Sequence, residues 1–283
     1  MRELVPWWAR IGAKLVLSRL PVGYTLWRRL NLFAHGAMHH ADYALRVFQQ
    51  RFARSGNLTG RGFAALELGP GDSLASAVIA AAYGATHTYL VDAGAFASSD
   101  IQVYRDTARY LRTQGLEPPD LDQVADVDGV LRASRASYST RGLQGLREIP
   151  SASVDFIWSQ AVLEHVRKRE FLETMRECRR ILKRGGVCSH QIDLRDHLGG
   201  ALNNLRFGER VWESEVFAKS GFYTNRISFS QMLALFEQAG FVVEVSTVRR
   251  WAALPTPRKR LAQEFITVSD DELCVSGFEV LLR

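Results

Sequence analysis

Within eight residues, His190, Asp193, Asp196 and His197 bring two imidazoles and two carboxylates to the end of an apolar run that starts at Val187 and Cys188. An imidazole titrates near neutrality and can take a proton from a reacting hydroxyl, while a neighbouring carboxylate orients the ring. The reading taken is general-base chemistry by His190, Asp193 and His197. The same four side chains offer nitrogen and oxygen donors to a metal ion, which stands as an alternative, and a hydrogen-bonded polar cluster closing a sheet is a third. No metal ligand is assigned, because a strand running into a loop fixes no coordination geometry.

A second concentration lies at LELGPGDS, residues 66–73, where a strand run meets a helical pattern. Glycines in such a turn let the backbone approach a ligand, and the helix amino end offers unpaired N–H groups. Glu67 precedes Gly69, Pro70 and Gly71, and Asp92 ends the next strand run, where a carboxylate can accept hydrogen bonds from both hydroxyls of a ribose. The dinucleotide fingerprint fails, since its third small position falls on Leu74. An acid ahead of the glycines suits a cofactor with a positive amino group better than one with a pyrophosphate. S-adenosylmethionine is such a cofactor.

These groups need a scaffold. Residues 1–58 read as helices only, a helical N-terminal cap ending in RSGNLTGRG. From Phe63 the pattern alternates: FAALEL as a strand, SLASAVIAAAYG as a helix, HTYLVD as a strand, SDIQVYRDTARYLRTQG as a helix and ASYST as a weak strand. SVDFIWS, REFLETMRECRRILKRGG with a glycine stop, and VCSHQIDL follow. Ser228 and Gln231 suggest a capping box for QMLALFEQAG, ahead of FVVEVSTV and VSGFEVLLR. The alternation predicts an α/β fold over residues 59–283, a Rossmann-like, seven-stranded, mostly parallel sheet with helices on both faces and an antiparallel pair at the end. The polar stretch 198–228 is a candidate acceptor lid, and Asn204, Arg206, Trp212, Asn225 and Arg226 are its candidate substrate contacts.

Composition narrows the function classes. With 47% hydrophobic and 23% charged residues the 283-residue chain is not disordered. Cys178, Cys188 and Cys274 are widely spaced, which points to reduced thiols and a cytoplasmic setting. The net charge of +6 allows an acidic partner, but no basic run interleaved with aromatics appears, so nucleic acid is not favoured. Leu4, Trp7, Trp8, Ile11 and Leu15 recur at helical spacing, and Arg10, Lys14 and Arg19 interrupt every apolar run. That helix is expected to pack on the body of the protein, with peripheral membrane contact as the alternative.

ALELGPGDS, LVDA, SVDFIWSQAVLEHV and ECRRILKRGGVCSHQIDL, in this order and spacing, resemble the successive motifs of class I S-adenosylmethionine-dependent methyltransferases, nearest to the type 11 group. The resemblance implies that Glu67, Gly69, Pro70 and Gly71 line the methionine end of the cofactor. It implies that Asp92, with Ala93 beside it, holds the ribose, that Gly142 and Leu143 border the adenine, and that Ser159 and Gln160 lie where cofactor meets acceptor. For His165 it implies a role at a helix start rather than in catalysis. The activity it implies is O-methylation of a saccharide or other small hydroxylated acceptor, as in surface-polysaccharide biosynthesis or secondary-metabolite pathways. Nucleic-acid methylation and cofactor binding without catalysis remain as alternatives.

Overall fold

The computed structural model describes residues 8, 11, 12, 37–56, 58 and 62–283. Most of the expected N-terminal cap, with its membrane alternative, lies outside the described residues. The chain runs α1 (Ala41–Phe52), β1 (Phe63–Leu68), α2 (Ala75–Ala82), β2 (Ala85–Val91), α3 (Ile101–Thr113), α4 (Val127–Ala133), β3 (Ala136–Ser139), α5 (Leu143–Arg147) and β4 (Val154–Gln160). It continues through α6 (Lys168–Ile181), β5 (Leu182–Asp193), α7 (Glu209–Trp212), α8 (Glu215–Ala218), α9 (Phe229–Gln238), β6 (Val243–Arg250), α10 (Asp270–Leu273) and β7 (Val275–Leu282). Short 3-10 turns occupy Leu163–His165 and Asn203–Arg206.

All six residues of β1 are buried, the pattern of a strand covered on both faces. The strands lie in the order β3-β2-β1-β4-β5-β7-β6. Pairs from β3 to β5 are parallel, and β7 runs antiparallel between β5 and β6. This is the expected Rossmann-like sheet. Its strand order reverses between β1 and β4, so the crevice beyond their carboxyl ends is the natural ligand position.

Two apolar cores cover the sheet. One joins α1, α2 and α3 to Phe63, Phe156 and Trp158, and the other joins α6 and α9 to Ile157, Cys188, Ile192 and Phe278. Phe48 meets Trp158 edge-on with ring centroids 6.0 Å apart, and Phe52 meets Phe156 likewise at 5.5 Å. The Ser228–Gln231 capping box opens α9 as its sequence predicts.

The glycine stop after α6 is a correction. The helix ends at Ile181 and β5 starts at Leu182, so Gly185 and Gly186 lie inside the strand, where its register against β4 shifts. A Cβ on Gly186 would sit 3.0 Å from the carbonyl oxygens of Asp155 and Lys183, so the glycine serves a bulge. Helix α4 escaped the sequence reading; Asp126 caps it by accepting from Gly129 N. Among the described residues no helix is long and apolar enough to cross a membrane.

Helix α1 is tied to the sheet by charge as well as by rings. The Arg51 guanidinium, 2% exposed, pairs with Glu279 at 2.9 Å, and Arg54 and Arg249 reach the same carboxylate at 3.1 and 3.7 Å. Removing one partner of a buried pair strands the other charge. Glu279→Ala should therefore lower unfolding free energy by about 3–5 kcal/mol in denaturant titration; a loss under ~1 kcal/mol would show that Arg51 is compensated elsewhere.

Candidate active site

The turn after β1 needs its glycines. Gly69 and Gly71 have φ of +65° and +64°, in the left-handed region that side chains disfavour. A Cβ on Gly69 would also lie 2.6 Å from the Val162 side chain, so the turn and the loop after β4 press together. Asp92 fixes the same turn from below, with Oδ2 accepting from Gly71 N at 2.9 Å and Oδ1 from Ala93 N at 2.7 Å. Gly142, at φ +51°, donates its N–H to Asp92 O at 2.8 Å. Ala93, Gly142 and Leu143 line one open cavity of about 430 Å³.

Glu67 lies behind this turn, 3% exposed, and accepts a hydrogen bond from the Ser76 hydroxyl. Burial pushes its carboxyl up to about 8, against the Ser76 bond and with help from the Asp92 charge. Pro70 is buried. Gln160, half-buried at the end of β4, holds a buried Oε1 with no partner.

The acceptor side corrects the sequence reading. His190 is 0% exposed, and its Nδ1 lies 2.7 Å from the Ser159 hydroxyl, itself sealed. Burial, reinforced by the Arg51 charge, pushes the imidazole down to about 3. His190 is thus a neutral group inside the sheet and is withdrawn as the expected base. β7 pairs with β5 as far as Asp193 and makes β5 an interior strand, and helix α1, whose Arg51 charge reaches His190, packs against it.

Asp193 is gripped by the Arg195 side chain at 2.7 Å. Burial works against its ionisation, yet the Arg195 hydrogen bonds and charge hold its carboxyl below the ordinary value, which makes it a weak base. Asp196 is spent on its own loop, accepting from the backbone N–H groups of Leu198, Gly199, Gly200, Ala201 and Asn203 and from Asn203 Nδ2. The alternative metal set His190, Asp193, Asp196 and His197 does not converge.

A different set does. His197 lies against His165 with ring centroids 4.7 Å apart. Glu164, His165 and His197 each bring one donor atom within 4.8 Å of the others. The chain leaves β4 through Ala161 at φ +54°, a strained conformation costing roughly 1–2 kcal/mol, and so carries residues 162–165 across the sheet edge. Tyr223 O lies 2.7 Å from His165 Nδ1 and so accepts its N–H. Glu164 is 1% exposed and burial pushes its carboxyl up to about 8; Oε1 accepts from Asp193 N at 3.2 Å, while Oε2 has no partner. The sequence shows LEHV plainly, but not that the 190s loop folds back over it.

The segment 198–228 packs around Trp212 with Leu198, Phe222, Tyr223 and Ile11. Trp212 is 0% exposed and donates to Thr224 O at 2.7 Å. Arg226 pairs with Glu209 at 2.6 Å and stacks over Trp212, and Asn225 binds the backbone of the β4 loop. Trp212, Asn225 and Arg226 are internal braces, which corrects their reading as substrate contacts. Asn204 donates to Thr224 Oγ1 and lines, with Glu164, a small cavity of about 50 Å³. Arg206, half-buried, donates to Asn203 Oδ1.

Residues 108–189 match the family described as a methyltransferase domain, of type 11. No curated protein matches the sequence. Among solved structures, the YcgJ protein of Bacillus subtilis is similar at 13% identity over 85% of this chain and 97% of its own, with a TM-score of 0.45. An S-adenosylmethionine-dependent methyltransferase from Mesorhizobium loti is similar at 15% identity over 86% and 98%, TM-score 0.44. A phosphoethanolamine N-methyltransferase from Haemonchus contortus, solved with S-adenosylmethionine, is similar at 15% identity over 84% and 51%, TM-score 0.45.

The residues present fit S-adenosylmethionine. The positive-φ glycines form a cradle, Gln160 Oε1 is a buried acceptor in want of a donor, and the cavity beside Ala93 continues the crevice. Glu67 supplies a test of the burial that shapes this cradle. Its folded-state pKa is about 8 against an ordinary 4.5, so between those values the unfolded chain ionises first and stability falls as pH rises. Glu67→Gln should remove part of that fall, on the order of a few degrees of Tm between pH 5 and 8. Parallel melting curves for variant and wild type across this range would show that Glu67 is not the proton holder.

Proposed function

We propose that this chain, a class I S-adenosylmethionine-dependent methyltransferase, delivers the methyl group to a hydroxyl oxygen of a saccharide or other small hydroxylated acceptor. The observation that carries the reading is the contact of two exposed imidazoles, His165 on the loop whose Val162 presses on Gly69 and His197 on the loop after β5. When bound, the cofactor supplies an electrophilic methyl group on a sulfonium. The chain must then hold a nucleophile in line and deal with its proton, and a hydroxyl needs that help more than a thiolate does. In this reading His165 and His197 activate the acceptor, and Asp193 beside them adds negative charge. Asp92 holds the ribose, while Gly69, Gly71 and Gln160 border the methionine end. A saccharide acceptor would place the reaction in polysaccharide biosynthesis, and three free cysteines suit a reducing cytoplasm.

His197→Ala should lower kcat on a hydroxylated acceptor ~10²–10⁴-fold and leave cofactor affinity within about a factor of two. Turnover near the wild-type level in both His165→Ala and His197→Ala, across a panel of saccharide acceptors, would sink the assignment. Separately, Asp92→Ala removes charge-assisted bonds worth ~1.5–3 kcal/mol each, so calorimetry should show at least a roughly tenfold weaker complex with S-adenosylmethionine. Unchanged affinity would remove Asp92 from the ribose.

A further inference from the structure

We infer that Glu164, His165 and His197 bind one divalent first-row transition-metal ion. Two imidazoles and a carboxylate are the donor set of Zn²⁺, Co²⁺, Mn²⁺ or Fe²⁺ sites, and are too nitrogen-rich for Mg²⁺ or Ca²⁺. Metal bonds of about 2.0–2.2 Å put neighbouring donors about 3–3.5 Å apart. The donors here lie within 4.8 Å of one another, and the two histidines are exposed, so small side-chain rotations close the set.

Three independent features prepare these residues. The Nδ1–H of His165 is committed to Tyr223 O, which leaves the ring's lone pair on Nε2; a backbone carbonyl on the second nitrogen is the usual partner of a metal-binding histidine. Glu164 is 1% exposed with Oε2 unpartnered, and a buried carboxylate oxygen is costly unless a cation or donor meets it. Asn225 holds the loop rigid, its N–H on Glu164 O and its Nδ2 on the carbonyls of Leu163 and Val166 at 2.8 and 3.0 Å. Three protein donors leave coordination positions open. In the O-methylation reading, on which this use alone rests, an acceptor hydroxyl would take one of them and become more acidic.

The test uses tag-free protein stripped with a chelator and titrated with Co²⁺, read by visible absorption and calorimetry. One equivalent should bind, and His165→Ala and His197→Ala should each weaken binding by roughly tenfold or more, since each loses a ligand. Glu164→Gln should do the same, with its melting curve recorded to separate lost binding from lost fold. Absence of stoichiometric Co²⁺ binding, or binding that both histidine variants retain, overturns the inference. Co²⁺ binding can fail with turnover on a hydroxylated acceptor intact, and turnover can fail with Co²⁺ binding intact, so the two readings fall separately.

Discussion

The site depends on the hold that Asn225 has on the loop after β4. Its backbone N–H goes to Glu164 O at 2.7 Å, its side-chain amide spans the carbonyls of Leu163 and Val166, and its Oδ1 accepts from Ile227 N. Each buried polar group left without a partner costs about 1–3 kcal/mol, so the clamp is worth far more than one ordinary hydrogen bond. With the loop pinned there and its exit set by Ala161, Val162 must rest against Gly69, and Glu164 and His165 must face the 190s loop. Residues near 69, 164, 197 and 225 thereby meet at one sheet edge.

The scaffold was legible because it obeys local rules. Apolar runs bounded by turns gave the strands, the positions of Gly69 and Gly71 gave the turn, and Ser228 with Gln231 gave the start of α9. Each signal is contained within about ten residues, the range over which pattern and backbone chemistry act together.

The acceptor side was less legible, because its polar residues have more than one physical use. Polar side chains in β5 looked like the open end of a strand; β7, some ninety residues later in sequence, makes β5 an interior strand and helix α1 packs against it, which leaves His190 an interior group. Trp212, Asn225 and Arg226 have the chemistry to grip a sugar and equally the chemistry to brace a loop, and only tertiary partners distinguish the two. His165 stood in plain view, but its meeting with His197 depends on the turn that Asp196 organises through six accepted hydrogen bonds.

Burial then sorts the ionisable groups at this edge. It raises Glu67 and lowers His190, opposite shifts with one result, since both lose their charge near neutral pH. Behind the crevice the Arg51–Glu279 ion pair remains, its guanidinium buried beside His190. At the rim, Asp193 stays ionised through its pairing with Arg195, beside the exposed rings of His165 and His197. His190 is sealed inside the sheet whereas His165 and His197 are exposed at its edge, so the proposed acceptor chemistry falls to those two.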